Sequence, residues 1–193
     1  MKKIVFIISH LGSGSSELVK SLNKNPRCIF YESKNVYDHP DAFDLLLRYH
    51  KLMNLSCAIY GDHILHNQSI IHDKFLEKLK FIYIIRSPKD ALQSIHENYK
   101  YNYKNAYNYY RFRLRRMCEM ANKTKNFLFF TYDELFDKNN LNKINNYLNL
   151  IEPIDMIKKE EKEDFNFYNK SFSLAQDCYE KYFYYLNNLR NKR

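Results

Sequence analysis

The chain has 193 residues, a length that suits one domain with a sizeable buried core. Thirty-one basic residues against 22 acidic ones give a net charge of +9, which favours a polyanionic ligand without by itself indicating nucleic acid. The four cysteines are scattered and form no C-x-x-C pair, so we expect reduced thiols, a cytoplasmic protein and no metal site. No stretch approaches the roughly 20 apolar residues of a membrane span, so we expect no membrane anchor.

Apolar runs of strand length alternate with helical patterns along the chain. We expect strands near residues 3–9, 27–31, 56–60, 80–85 and 126–131, and helices near residues 15–24, 39–53, 67–79, 88–99, 103–123, 139–149 and 173–190. This alternation, with short connections, is typical of a parallel sheet covered on both faces. No linker or internal repeat divides the chain. The sequence therefore predicts one α/β domain over residues 1–193, with three layers (α/β/α) and a central parallel sheet.

An arginine ends the apolar run Phe81–Ile85, and a serine follows it eight residues later. Pro88 suits the first turn of the next helix, where its missing N–H costs nothing, so Arg86 lies at the carboxyl edge of the predicted sheet. Open α/β sheets bind ligands at that edge, and a guanidinium offers a planar fork for phosphate oxygens. Ser94, two helical turns on, offers a hydroxyl to the same anion. The alternative is a surface ion pair at Arg86 and an ordinary helix serine.

Two of the three glycines lie in one short loop, Ser9–Ser16, between the apolar run Ile4–Ile8 and a helical pattern. A glycine loop between a strand and a helix forms a pocket of backbone N–H groups at the positive end of the helix dipole, which suits a phosphate. The residues that we assign to this second anion site are Gly12, Ser13, Gly14, Ser15 and Ser16. The alternative is an ordinary turn, in which glycine supplies a positive φ and serine caps the helix.

These segments resemble parts of the sulfotransferases that use 3′-phosphoadenosine 5′-phosphosulfate (PAPS). The strand with Arg86 and Ser94 resembles the family's 3′-phosphate-binding segment. The sequence Ser13-Gly14-Ser15-Ser16 resembles its 5′-phosphosulfate loop, which is a basic residue followed by Ser-Gly-Thr-Thr. Residues 127–135 are similar to its strand plus Tyr-Glu-Asp-Leu element, and residues 147–150 to its Phe-Leu-Gly-Leu phrase.

The resemblance implies a sulfotransferase architecture, which is related to the P-loop nucleotide-kinase fold. It implies PAPS as the cofactor, 3′,5′-adenosine bisphosphate (PAP) as the product, and no metal. It also implies an adenine contact for Tyr132, for which the alternative is a core or rim tyrosine.

The chain departs from the family's pattern at two positions. Gly12 stands where the family has a catalytic lysine or arginine, so charge on the bridging oxygen needs another cation. His10 is the nearest candidate, and a lysine from elsewhere is the alternative. Glu17 stands where the family has a stacking tryptophan, so adenine recognition must differ. No Gly-Lys pair follows Gly14, which disfavours a magnesium-dependent phosphoryl-transfer enzyme.

Sulfuryl transfer needs a group that takes the acceptor's proton, and a histidine suits that task. His63 follows a predicted strand and precedes Arg86 by 23 residues, close to where cytosolic sulfotransferases place a catalytic histidine. We assign it as the general base. His66, His10 and Glu32 remain alternatives.

A tyrosine- and arginine-rich stretch, residues 99–116, invites a nucleic-acid interpretation, because aromatic rings stack on bases and arginines pair with phosphates. Helical spacing favours another one, with the inward face formed by Tyr107, Tyr110, Leu114 and Cys118 and with Arg111 and Arg115 in solvent. Nucleic acid is therefore an unfavoured partner. Lys170 lies where the family often has a basic loop, without a motif that assigns it a role.

The sequence thus predicts a sulfotransferase that moves a sulfuryl group from PAPS to a hydroxyl or amine of a small molecule, carbohydrate or peptide. The alternative is a non-catalytic module that binds adenosine bisphosphate or nucleic acid on the same fold and has lost turnover with the basic residue at Gly12.

Overall fold

The computed structural model describes residues 3–31, 59–65, 79–124, 126–154, 157 and 170–192. Its centre is a five-stranded sheet, parallel throughout, in the order β2-β3-β1-β4-β5. The strands are β1 (Lys3–Ile8), β2 (Cys28–Tyr31), β3 (Ile59–Ile64), β4 (Lys80–Ile85) and β5 (Phe127–Thr131). This is the central parallel sheet that the alternating pattern predicted.

Helices cover both faces of the sheet. They are α1 (Ser15–Asn23), α2 (Pro88–Tyr99), α3 (Tyr103–Lys123), α4 (Lys138–Leu148) and α5 (Lys170–Asn191), with a 3-10 helix at Asp133–Phe136. Apolar side chains of α2, α3 and α5 pack on one face, and those of α1 and α4 pack on the other. The predicted three-layer α/β/α class is confirmed. The helices predicted near residues 39–53 and 67–79 lie outside the described residues.

The chain changes direction around β1. It passes from β1 outward to β2 and back to β3 on one side, then crosses to β4 and β5 on the other. The carboxyl ends of all five parallel strands meet at one edge. In open α/β sheets the crevice at such a switch point is the place where ligands bind. The loop after β1 and the residues after β4 lie there side by side.

Helix ends follow local chemistry. Pro88 is in the first turn of α2. Asp137 caps α4 by accepting a hydrogen bond from the N–H of Asn139 at 2.7 Å. At its other end α4 stops at Asn149, whose backbone is left-handed (φ 56°, ψ 50°). Asparagine tolerates this conformation better than most residues, which is why it occupies the glycine position of the Phe-Leu-Gly-Leu-like phrase.

The third strand lies later in the chain than predicted. We expected it near residues 56–60 with His63 beyond its end, and the structure has β3 at Ile59–Ile64, so His63 lies inside the strand. The polar pair Asp62-His63 looks unlike a strand in sequence. It is held in the sheet because β3 is central, hydrogen-bonded to β1 on one side and β2 on the other.

Candidate anion-binding site

The loop after β1 owes its shape to two glycines with positive φ, 72° at Gly12 and 75° at Gly14. A Cβ at Gly12 would lie 2.7 Å from the carbonyl oxygen of Ala91 and 3.0 Å from the Cβ of Ser94. The loop therefore rests directly on α2. No side chain fits at Gly12, so a lysine there would require a different loop conformation.

Arg86 is buried at the end of β4, with 6% of its surface exposed. One terminal nitrogen, Nη1, donates to the carbonyl oxygen of Gly12 at 3.4 Å. Nε forms an ion pair with a carboxylate oxygen of Asp90 at 3.6 Å, which is beyond hydrogen-bond distance, so this buried nitrogen has no hydrogen-bond partner. A buried cation with an unused N–H group is suited to receive an acceptor oxygen.

Ser94 lies on α2 against the same glycine. It is 6% exposed, and its hydroxyl accepts a hydrogen bond from Asn98 Nδ2 at 3.0 Å. Gly12 thus contacts both Arg86 and Ser94. The structure brings the two predicted anion segments together at this one residue.

Tyr132 joins the same group from the end of β5. The guanidinium carbon of Arg86 lies 3.9 Å from the centre of its ring, and a Cβ at Gly14 would lie 2.1 Å from its Cε2 atom. Phe136 packs edge-on against it, and only 3% of Tyr132 is exposed. The ring therefore contacts both the loop and Arg86.

The imidazole of His63 lies among the loop hydroxyls. Its Nε2 atom is 2.6 Å from Ser15 Oγ and 3.0 Å from Ser9 Oγ. Ser15 Oγ is also 2.8 Å from Ser13 Oγ. All four residues are at most 3% exposed. The predicted base and the predicted anion loop are thus one hydrogen-bonded cluster, with Ser16 beside it in the first turn of α1.

No protein-family model matches the sequence, and no curated protein matches it. Among solved structures, mouse sulfotransferase SULT7A1 complexed with PAP aligns with a TM-score of 0.56 and 18% identity, over 91% of this chain and 63% of that one. The chain has the sulfotransferase fold. Retinol dehydratase, in complexes with retinol and PAP and with androsterone and PAP, aligns at TM-score 0.44 with 15% and 16% identity, over 92% and 90% of this chain. The present chain spans less than two thirds of the length of each of these proteins.

His10 does not provide the positive charge that a lysine or arginine at position 12 would provide. Burial lowers the pKa of His10 from 6.5 to about 3, so the ring is neutral near pH 7. Its Nε2 atom accepts the backbone N–H of Arg86 at 3.0 Å, so Nδ1 carries the proton and donates to the carbonyl oxygen of Leu11 at 2.7 Å. With both ring nitrogens used in this way, His10 is also unsuited to the role of base.

Helix α3 contributes three side chains to the candidate site. Two of them were missed in the sequence, and the third was assigned only to packing. Tyr110, predicted to pack inward, is buried and also donates from its hydroxyl to the carbonyl oxygen of Arg86 at 2.7 Å. Tyr109 and Arg113 also face inward and contact the strand ends. The sequence signal for Tyr109 and Arg113 was their i, i+4 spacing, which places both on one side of the helix. It was overlooked because the stretch is rich in basic residues and arginines are usually exposed.

Some of the other residues singled out in the sequence lie within the described ranges, and some lie outside them. Leu114 and Cys118 are buried as predicted, Tyr107 is half-buried, and Arg111 and Arg115 are exposed. His66 and Glu32 lie outside the described residues, as does the side chain of Lys170.

Within the described ranges, no helix has both the length and the apolar character that a membrane span requires. Within them no three His, Cys, Asp or Glu side chains are grouped as a metal ion requires.

Proposed function

We propose that this chain is a sulfotransferase that transfers the sulfuryl group of PAPS to an acceptor hydroxyl or amine. The observation that carries the proposal is the junction at Gly12, where the loop after β1 meets the buried guanidinium of Arg86 and the helix serine Ser94. A nucleotide with phosphates at both ends of its ribose needs two anion sites a short distance apart. The buried Nε atom of Arg86, which is ion-paired with Asp90 at 3.6 Å but has no hydrogen-bond partner, supports an anion at the second site.

Each segment has a proposed part in holding the nucleotide. Backbone N–H groups of Ser13–Ser16 at the amino end of α1 would hold the 5′-phosphate, where the helix dipole favours negative charge. Two of them already have partners within the loop, since Ser13 donates to the carbonyl oxygen of His10 at 3.1 Å and Ser15 donates to Ser13 Oγ at 3.3 Å. Arg86 and Ser94 hold the 3′-phosphate. Tyr132 lies on the adenine side, and its contact with Arg86 fixes the direction of the guanidinium.

When bound, PAPS supplies the sulfuryl group that the acceptor's oxygen or nitrogen takes. His63 would receive the acceptor's proton, and its Nε2 atom lies 2.6 Å from the hydroxyl of Ser15 in the loop that would hold the 5′-phosphate. Donors fixed by the loop before reaction stabilise charge without reorganisation, so positioning accounts for much of the catalysis.

A binding experiment tests the site. Calorimetry with PAP, AMP and ATP is expected to show PAP as much the tightest ligand, because only PAP carries a 3′-phosphate. Equal affinity for PAP and AMP would contradict the assignment of Arg86 and Ser94. Arg111→Ala is the control, since it removes the same charge from an exposed position.

One observation favours a second candidate, a non-catalytic module that binds adenosine bisphosphate. Gly12 lacks the basic residue, and its contact with Ala91 leaves no space for one. Incubation with ³⁵S-labelled PAPS and a panel of phenols, sugars and peptides, with EDTA present, distinguishes the two. Labelled product supports the enzyme, and tight PAP binding with no transfer to any acceptor supports the module.

A further inference from the structure

Arg113 is a buried charge that the proposed chemistry does not use. It lies in the middle of α3 with 3% of its surface exposed. Its Nε atom donates to the carbonyl oxygen of Ser9 at 2.7 Å, and one terminal nitrogen donates to that of Ile64 at 2.7 Å. Ser9 directly follows β1, and Ile64 is the last residue of β3, so a single guanidinium spans the ends of two neighbouring strands.

Tyr109, one turn earlier on the same face of α3, makes a similar bridge just beyond the strands, two residues after Ser9 on one segment and one residue after Ile64 on the other. Its hydroxyl accepts the N–H of Leu11 at 2.9 Å and donates to the carbonyl oxygen of Leu65 at 2.7 Å. The two side chains therefore connect the ends of β1 and β3 twice, first between Ser9 and Ile64 and then between Leu11 and Leu65.

These bonds begin where the sheet ends. Pairing of β1 with β3 stops at Ile8 and Ile64, apart from one bond from the N–H of Ser9 to the carbonyl oxygen of Ile64. Beyond it the backbone groups of two diverging segments still need partners, because buried polar groups are rarely left unpaired. The partners come from α3, and they hold the first residues of the glycine loop.

The distance between the loop and His63 depends on the same bonds. Ser9 and Ser15 contact Nε2 of His63, and His63 is next to Ile64. A shift of β1 relative to β3 would separate the loop hydroxyls from the imidazole.

We propose that Tyr109 and Arg113 are positioning residues for the anion loop, which set the spacing of its backbone N–H groups relative to His63. For the identity of the ligand this inference rests on the proposed function. The loop has no lysine or arginine of its own, so its affinity for an anion depends on backbone geometry that these two side chains fix. An Arg-to-Lys change is not conservative at such a site, because an ammonium cannot span two carbonyl oxygens in the same planar fork.

The first test needs no ligand. Hydrogen–deuterium exchange of peptides covering residues 9–16 is compared in wild type, Tyr109→Phe and Arg113→Lys. The matched controls are Tyr107→Phe and Arg111→Lys, the same changes on the same helix at a half-buried and an exposed position. We expect faster exchange of the loop in the first pair only. Tyr109→Phe removes one oxygen atom, so it keeps the test valid if Arg113→Lys does not fold. Unchanged loop exchange in folded Tyr109→Phe overturns the proposal.

The second test separates the two anion sites with adenosine 5′-monophosphate and adenosine 3′-monophosphate. Tyr109→Phe and Arg113→Lys are expected to weaken the 5′-monophosphate roughly 10-fold or more and to leave the 3′-monophosphate nearly unchanged. An equal loss for both ligands would mean a general structural role and overturn the proposal. Absence of nucleotide binding in wild type would instead count against the proposed function, while the exchange experiment still tests the loop.

Discussion

The guanidinium carbon of Arg86 lies 3.9 Å from the centre of the Tyr132 ring. The two residues follow β4 and β5, which are neighbours in the sheet, so strand pairing delivers the cation and the aromatic ring to the same point. A buried cation–π contact of this kind stabilises by up to about 2 kcal/mol. It holds Arg86 in the orientation in which one terminal nitrogen reaches the loop.

Replacing Tyr132 is therefore expected to act through Arg86. Tyr132→Leu should weaken PAP binding roughly 10-fold, while Tyr132→Phe, which keeps the ring, should bind nearly as wild type does. Calorimetry with PAP measures both. An equal loss in Tyr132→Phe would assign the effect to the hydroxyl and count against the ring contact.

Loss of Arg86 itself should be specific to the 3′-phosphate. We expect Arg86→Ala to weaken PAP binding by about 2–5 kcal/mol, the usual effect of removing one side of a buried charge-assisted pair, with little change for 5′-AMP. Arg86→Lys should lie between the two, because the charge remains and the fork is lost. Isothermal titration with both nucleotides gives the comparison, and Arg111→Ala controls for net charge. A matching loss for 5′-AMP would place Arg86 outside the proposed site.

Gly12 should resist any substitution. A left-handed backbone costs a non-glycine residue about 1–2 kcal/mol, and the overlap with Ala91 adds to this, so Gly12→Ala should lower the free energy of unfolding by at least that amount. Urea unfolding measures it, with Ser16→Ala in the first turn of α1 as a control of small effect. Gly12→Lys, which introduces the basic residue that sulfotransferases have in the loop that this one resembles, is expected to destabilise the protein further instead of raising turnover. A stable Gly12→Lys with higher turnover would show that the loop adopts another conformation.

The neutral His10 should make stability fall in mild acid. Its folded pKa of about 3 lies below the unfolded value of 6.5, so the unfolded state binds more protons between these pH values and stability rises with pH. The contribution is fully present above pH 6.5 and is lost as pH falls toward 3. Between pH 7 and pH 5 it amounts to about 2 kcal/mol. Urea unfolding at pH 5, 6 and 7 tests this against His10→Gln, whose pH dependence should be flatter by that amount, and a parallel slope in the two proteins would contradict it.

His63 is expected to affect turnover more than binding. As a base it takes up the acceptor's proton, so His63→Ala should lose roughly 10²-fold or more in rate. PAP affinity should fall less, since Ser15 keeps its contact with Ser13. The measurements are turnover with labelled PAPS and calorimetry with PAP, each made on wild type and His63→Ala. Retained turnover in His63→Ala would move the role to His66 or Glu32.

The elements nearest the site were the easiest to predict. Helix α2 begins and ends where the sequence indicated, at Pro88–Tyr99, because a proline marks its start after an unbroken apolar run. The loop Ser9–Ser16 was equally clear, since a chain with three glycines places two of them there. Strong local signals of this kind need no knowledge of the tertiary structure.

Other features depend on partners distant in sequence. His63 was placed beyond β3 because Asp62 and His63 are polar, whereas pairing on both sides keeps them in the strand. Arg113 was overlooked because an arginine on an amphipathic helix is usually in solvent. Its partners, the carbonyl oxygens of Ser9 and Ile64, are identified only once the sheet has formed.

Arg113 and Ser9 are 104 positions apart in the chain, and their bond has a kinetic consequence. A contact between such distant residues closes a long loop, and it forms only when β1, β3 and α3 have come together. An excised fragment that lacks one of these elements therefore cannot form the proposed anion-binding edge. Because this edge exists only in the folded protein, we expect PAP to raise the melting temperature by mass action.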